Sequence, residues 1–154
     1  MRRARIARPT ANSLEADVVA RHRIEIPLRW GDFDALAHVN NVRYLDFMQD
    51  ARVSLVHEFG LPKSSLTEIG HLVARNEIDY IRPIGVNDHA VRVDVWISRF
   101  GGASYDVLYA IHDDAENLCA RAKSVMVTVD MATEAVIRIP DDVRQAMERF
   151  YDRD

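Results

Sequence analysis

The chain has 154 residues, 48% of them hydrophobic and 29% charged, with a formal net charge of −4. That length supports one domain, since two halves would each be too small to bury a stable core, and the negative balance argues against broad electrostatic binding of nucleic acid. One cysteine, Cys119, excludes an internal disulfide and fits a reducing, cytoplasmic compartment, while no apolar run is long enough to span a bilayer.

Residues 1–20 carry Arg2, Arg3, Arg5 and Arg8, and the stretch Ala11 to Val18 is broken by Asn12, Ser13, Glu15 and Asp17. That is not the apolar core of a secretory signal. It reads as a flexible, partly basic tail, either free or touching an anionic partner, with the domain proper spanning residues 21–154. From His22 to Arg29, Ile24, Ile26 and Leu28 alternate with Arg23, Glu25 and Pro27. This period of two predicts a strand, and Pro27 puts it at an edge or an irregular point. Trp30 to Asn41 then gathers two acids, a histidine and two asparagines with little periodicity, which predicts a loop feeding a helix capped by Asn40 or Asn41. The helix runs to about Phe59, with Gly60 as its stop and Pro62 beyond. Val42, Leu45, Met48, Ala51, Leu55 and Phe59 recur at helical spacing, widened by Tyr44, Phe47 and Val56, so the helix should be heavily buried.

After His71 the period changes to two. Leu72 to Ile81 predicts a strand, and Val91, Val93, Val95 and Ile97 mark the next. Gly101-Gly102 marks a tight turn into a strand carrying Ala103, Tyr105, Val107, Tyr109 and Ile111. Asp113-Asp114 with Asn117 marks another turn, before a long strand from Leu118 to Val129. A short helix begins near Pro140, with Asp141 and Asp142 favourable in its first turn. Strands joined by hairpins pair antiparallel, and one long apolar helix needs a sheet to cover it. The expected architecture is α+β: an antiparallel sheet of about five strands curled around a central helix, with a short C-terminal helix.

Trp30-Gly31-Asp32-Phe33-Asp34, His38-Val39-Asn40-Asn41, Tyr44 and Asp50-Ala51-Arg52 together resemble the acyl-CoA thioesterases of the 4-hydroxybenzoyl-CoA thioesterase-like group, which have the hotdog fold. The strand order and Tyr80-Ile81-Arg82-Pro83-Ile84 resemble that group too, over about residues 22 to 130. The chemistry suits these residue types. Thioester hydrolysis needs a base to activate water, or a carboxylate that attacks the carbonyl, together with donors for the developing oxyanion. A helix N-terminus offers free N–H groups and a positive dipole end.

The resemblance implies that Asp34 is catalytic, as general base or nucleophile, and that the backbone N–H near Asn41 polarises the carbonyl. It makes His38 a further catalytic candidate, and Asn40, Tyr44, Arg99 and Ser104 candidates for substrate contact. It also implies an acyl-CoA substrate, no metal and no cofactor, and a homodimer or homotetramer with active sites between subunits. Plainer roles stand beside these. Asp34 can serve as a turn residue, Asp32 as a structural acceptor for the loop, and Asn40 as a cap. Tyr44 and Trp30 can be core residues, and Asp50 with Arg52 a charge pair on the helix or a pocket wall. Ala37 stands where a glycine is common in the group, Asp50 where a glutamate is, and only Arg99 is basic at the turn before Ser104. The rival functions are a non-catalytic acyl-CoA-binding hotdog module and a thioesterase acting on acyl carrier protein. No Gly-x-Ser-x-Gly elbow, Walker loop or dinucleotide fingerprint appears, and the six histidines lack metal-ligand spacing.

Overall fold

The structure, a computed structural model, describes residues 21–153. The tail expected over residues 1–20 lies outside the described residues. Strand β1 covers His22–Pro27, helix α1 Arg43–Glu58, helix α2 Lys63–Glu68, and strands β2 to β5 cover Ile69–Tyr80, Ala90–Phe100, Ser104–His112 and Leu118–Asp130. Helix α3, Asp141–Glu148, follows. The five strands form one antiparallel sheet in the order β1-β3-β4-β5-β2. Central helix and antiparallel sheet together are the hotdog arrangement. Among the described residues no helix is long and apolar enough to cross a membrane.

The apolar side of α1 is Tyr44, Phe47, Met48, Ala51 and Leu55, all buried, with Phe59 just beyond its end. These pack in one cluster with Val93, Val95, Ile97, Val107, Tyr109 and Ile111 of the sheet. Val42 and Leu45, expected in the buried stripe, are 61% and 42% exposed. The stripe is rotated, because Tyr44 leads it instead. Trp30, for which a core role was open, is 89% exposed on a short 3-10 turn.

Two further expectations change. Strand β2 immediately precedes β3 in sequence but does not pair with it; it pairs with β5 at the far edge, Leu72 opposite Val127 and Tyr80 opposite Ala120. The connection through Pro83 therefore carries the chain across the sheet instead of closing a hairpin. The β3-β4 and β4-β5 connections are the expected hairpins. Helix α2 was not foreseen, since Leu66 is the only large apolar residue in Lys63–Glu68 and gives no periodicity. At the opposite edge, among the described residues β1 pairs with β3 alone, and Pro27 lies at its end as an edge position allows.

Candidate active site

The loop between β1 and α1 is held by its own backbone. Asp34 N–H donates to the His38 carbonyl at 2.9 Å, and Ala37 N–H donates to the Asp34 carbonyl at 3.0 Å. Phe33 and Val39 form an antiparallel bridge across this turn. Ala37 closes it with φ of 60°, in the left-handed region that glycine occupies without cost. The loop is then pinned to the segment after β2: Val39 N–H donates to the Ile84 carbonyl at 2.9 Å, and His38 bridges Gly85.

The two acids have separate surroundings. Asp32 accepts from Arg29 N–H at 2.7 Å and lies 3.5 Å from the Arg43 guanidinium, so it holds the loop to the helix. Asp34 accepts one bond through Oδ1, from Leu36 N–H at 2.9 Å. Among the described residues nothing donates to its Oδ2. Its side chain lines a cavity of about 410 Å³ together with His38, Asn41, Tyr44, Tyr80 and Arg82.

The same cavity meets the beginning of α1. Asn40 caps it, with Oδ1 accepting from Val42 N–H at 3.0 Å and its carbonyl accepting from Arg43 N–H at 2.9 Å. No group among the described residues accepts from the Asn41 N–H. The Asn41 carbonyl accepts from the Tyr80 hydroxyl at 3.2 Å, and the Tyr80 ring meets Tyr44 edge-on at 5.0 Å between centroids. Burial pushes the Tyr44 phenol up to about 12, so it is neutral at physiological pH. Asp34, with one carboxylate oxygen unbonded, and Asn41, at the helix start with its N–H unbonded, thus line one cavity, and these are the types of group that attack on a carbonyl carbon requires.

Of the residues singled out from sequence, Asp34, His38, Asn41 and Tyr44 meet in this cavity, and Asn40 borders a neighbouring one that also touches Asp34. Arg99 and Ser104 do not join them within one chain. Ser104 pairs with Val127, in the row that holds Leu72, at the opposite end of the sheet from Tyr80. The Arg99 guanidinium is held by Asp106 at 2.7 Å and also donates weakly to Ser104 Oγ. Arg52 does not pair with Asp50; it turns inward and donates to the hydroxyls of Tyr109 and Ser124 at 3.1 and 3.2 Å. Tyr80, Ile81 and Arg82 received no role from sequence, although they build the far wall. Their only signal was the Tyr-Ile-Arg-Pro string itself.

A family model described as the thioesterase-like superfamily matches residues 28–147. The chain belongs to this superfamily. Among thioesterase-superfamily relatives it is 30% identical over 108 residues to YneP of Bacillus subtilis, a candidate acyl-CoA thioesterase by name, covering 69% of this chain and 78% of that one. It is 25% identical over 128 residues to FadM of Escherichia coli, a long-chain acyl-CoA thioesterase, covering 82% and 96%. A thioesterase from Thermus thermophilus, solved with coenzyme A and zinc, superposes with a TM-score of 0.72 at 26% identity over 83% of this chain and 92% of that one. The superfamily match spans both the Asp34 loop and the Tyr80 wall of the cavity.

Proposed function

We propose that this chain is an acyl-CoA thioesterase, releasing a free acid and CoA-SH, with Asp34 acting on the thioester carbonyl. The observation that carries the reading is that Asp34, with one carboxylate oxygen unbonded, and Asn41, with its N–H unengaged, line one cavity at the start of α1. As a general base, Asp34 takes a proton from water while the water oxygen attacks the carbonyl carbon. The oxyanion forms beside the Asn41 N–H and the positive end of the helix. Its collapse breaks the C–S bond, and the leaving thiolate takes the proton from Asp34. As a nucleophile, Asp34 instead expels the thiolate to give a mixed anhydride, which water opens to restore the carboxylate. Both routes begin at the same oxygen. Turnover in heavy-oxygen water, with label recovered in the Asp34 carboxylate, would assign the anhydride route.

The remaining residues take supporting parts. His38 and Tyr44 border the bound thioester, and Asn40 keeps the helix start in place through Val42. The proposed working unit is a homodimer. Among the described residues strand β2 ends the sheet with an unpaired edge, and its exposed Leu72, Val73 and Tyr80, with Ile81 just beyond, are costly to leave in water. Antiparallel pairing of two copies about a two-fold axis at Asn76 sets Arg75 opposite Glu77 twice and Leu72 opposite Tyr80 twice. In that pairing the turn bearing Arg99 and Ser104 approaches the second copy's Asp34 cavity, where it can contact the CoA arm. The buried Cys119 thiol suits the reducing cytoplasm as the place of action. Release of free thiol from acyl-CoA by the purified chain, compared with the same acyl group on acyl carrier protein, tests the activity and its carrier. No thiol release from either carrier would reject it.

A further inference from the structure

The face of the sheet turned away from α1 holds a second group of side chains, apart from the Asp34 cavity. In β3, Val93, Val95 and Ile97 belong to the core, so Arg92, Asp94 and Trp96 point outward. Antiparallel pairing sets Leu108 beside Trp96, and sets Ala110 and then Arg121 beside Asp94. A cavity of about 590 Å³ lies over these strands, with Asp94, Trp96, Leu108, Ala110, His112 and Arg121 in its walls. It shares no described lining residue with the cavity at Asp34.

Its unmet groups are donors. Trp96 is 5% exposed, and among the described residues nothing accepts from its buried indole N–H. An indole nitrogen only donates, and a buried one ordinarily has a partner, because an unmet N–H forfeits the bond it makes to water in the unfolded chain. His112 Nδ1 is also buried and without a hydrogen bond, with the Asp94 carboxylate 3.8 Å away. Asp94 itself is taken: the Arg23 guanidinium grips both of its oxygens, at 2.6 and 2.8 Å, and matches its charge. Arg21 stacks over the Trp96 ring, 4.0 Å from its centroid, and is tied to Asp152 at 2.8 Å. Among the described residues no carboxylate pairs with Arg121, which is exposed at the rim. Two buried nitrogens and one positive charge are thus left unanswered, beside the apolar side chains of Leu108 and Ala110.

We propose that this outer cavity binds a small monocarboxylate with an apolar, ring-sized body, the carboxylate accepting from Trp96 Nε1 and His112 Nδ1 and facing the Arg121 guanidinium. A carboxylate brings acceptors and a negative charge, which is what these three groups lack. Its apolar body covers Leu108 and Ala110, as a mainly apolar pocket with a few placed polar groups requires. The site lies on the opposite side of the sheet from α1 and needs no turnover, so it stands whether or not the thioesterase reading does.

Benzoate is the probe, with benzamide and inorganic phosphate beside it. The chain has two tryptophans, so in Trp30→Phe the emission comes from Trp96 alone and reports on this cavity directly. Millimolar benzoate is expected to change that emission and to bind in calorimetry, with benzamide and phosphate each weaker by about tenfold. Trp96→Phe, which keeps an aromatic ring and loses the N–H, should weaken benzoate by about tenfold, and Arg121→Gln by about fivefold. Arg121 is exposed, so its variant keeps the test decisive should Trp96→Phe fail to fold. No change of emission with benzoate overturns the proposal. So does binding that neither variant weakens, since the benzoate then sits elsewhere, the Asp34 cavity included. Benzamide binding as well as benzoate would show that no charge is read, and phosphate binding as well would show that no apolar body is; either result overturns it.

Discussion

At the scale of single residues, one position in the Asp34 turn carries a backbone penalty. Ala37 sits at φ of 60°, where a Cβ crowds the following carbonyl and glycine does not. Replacing Ala37 with Gly is expected to stabilise the fold by about 1 kcal/mol, after allowing for the freer unfolded chain. Chemical denaturation measures it, and a loss of stability would show that the turn draws on the alanine methyl instead. The departure from glycine was visible in the sequence, but the reason was not, because a dihedral angle appears only once the Asp34–His38 turn is closed. Asp34, His38, Asn41 and Tyr44 could be grouped from sequence because they occupy one short segment. Tyr80 and Arg82 could not: they reach the cavity only because β2 crosses to the far edge of the sheet and returns its end to the start of α1.

At the scale of elements, β2 holds a titratable group under the helix. Burial lowers the pKa of His71 from its ordinary 6.5, so the folded chain keeps the ring neutral and bonded to Tyr105. The unfolded chain takes up the proton first as the pH falls. The contribution of His71 is therefore complete above 6.5 and is lost as the pH drops through that value towards the lower folded one. The denaturation midpoint should fall between about pH 7.5 and pH 5.5, and His71→Gln should flatten that fall. An identical slope in the variant would count against it. The strands were readable because alternation survives on a sheet with one face packed against a helix. The edges of helices were less so. Val42 and Leu45 fit the apolar spacing of α1 yet face solvent, since spacing alone does not fix which of two adjacent stripes meets the sheet. Helix α2 is held by its neighbours and by the turn after Pro62, which no periodicity announces.

At the scale of the molecule, the exposed edge of β2 is the surface on which the proposed homodimer would pair. Arg75 and Glu77 already pair within the strand at 2.7 Å, and the proposed two-fold pairing would add the same contact between chains. Glu77→Arg places like charges opposite each other twice and should shift sedimentation towards the monomer. Arg75→Glu combined with Glu77→Arg should restore the dimer. A dimer unaffected by Glu77→Arg would place the interface elsewhere. The order of the strands across the sheet, and hence this edge, was not legible in the sequence, because hairpin signals say nothing about a connection as long as the one through Pro83. The most direct test of the whole account is kcat/KM for thiol release by Asp34→Asn, whose side-chain oxygen can still accept the Leu36 N–H and so keep the loop. The expected result is a loss of about 10²- to 10⁴-fold with the fold unchanged; turnover within about twofold of wild type would contradict the role of the Asp34 carboxylate.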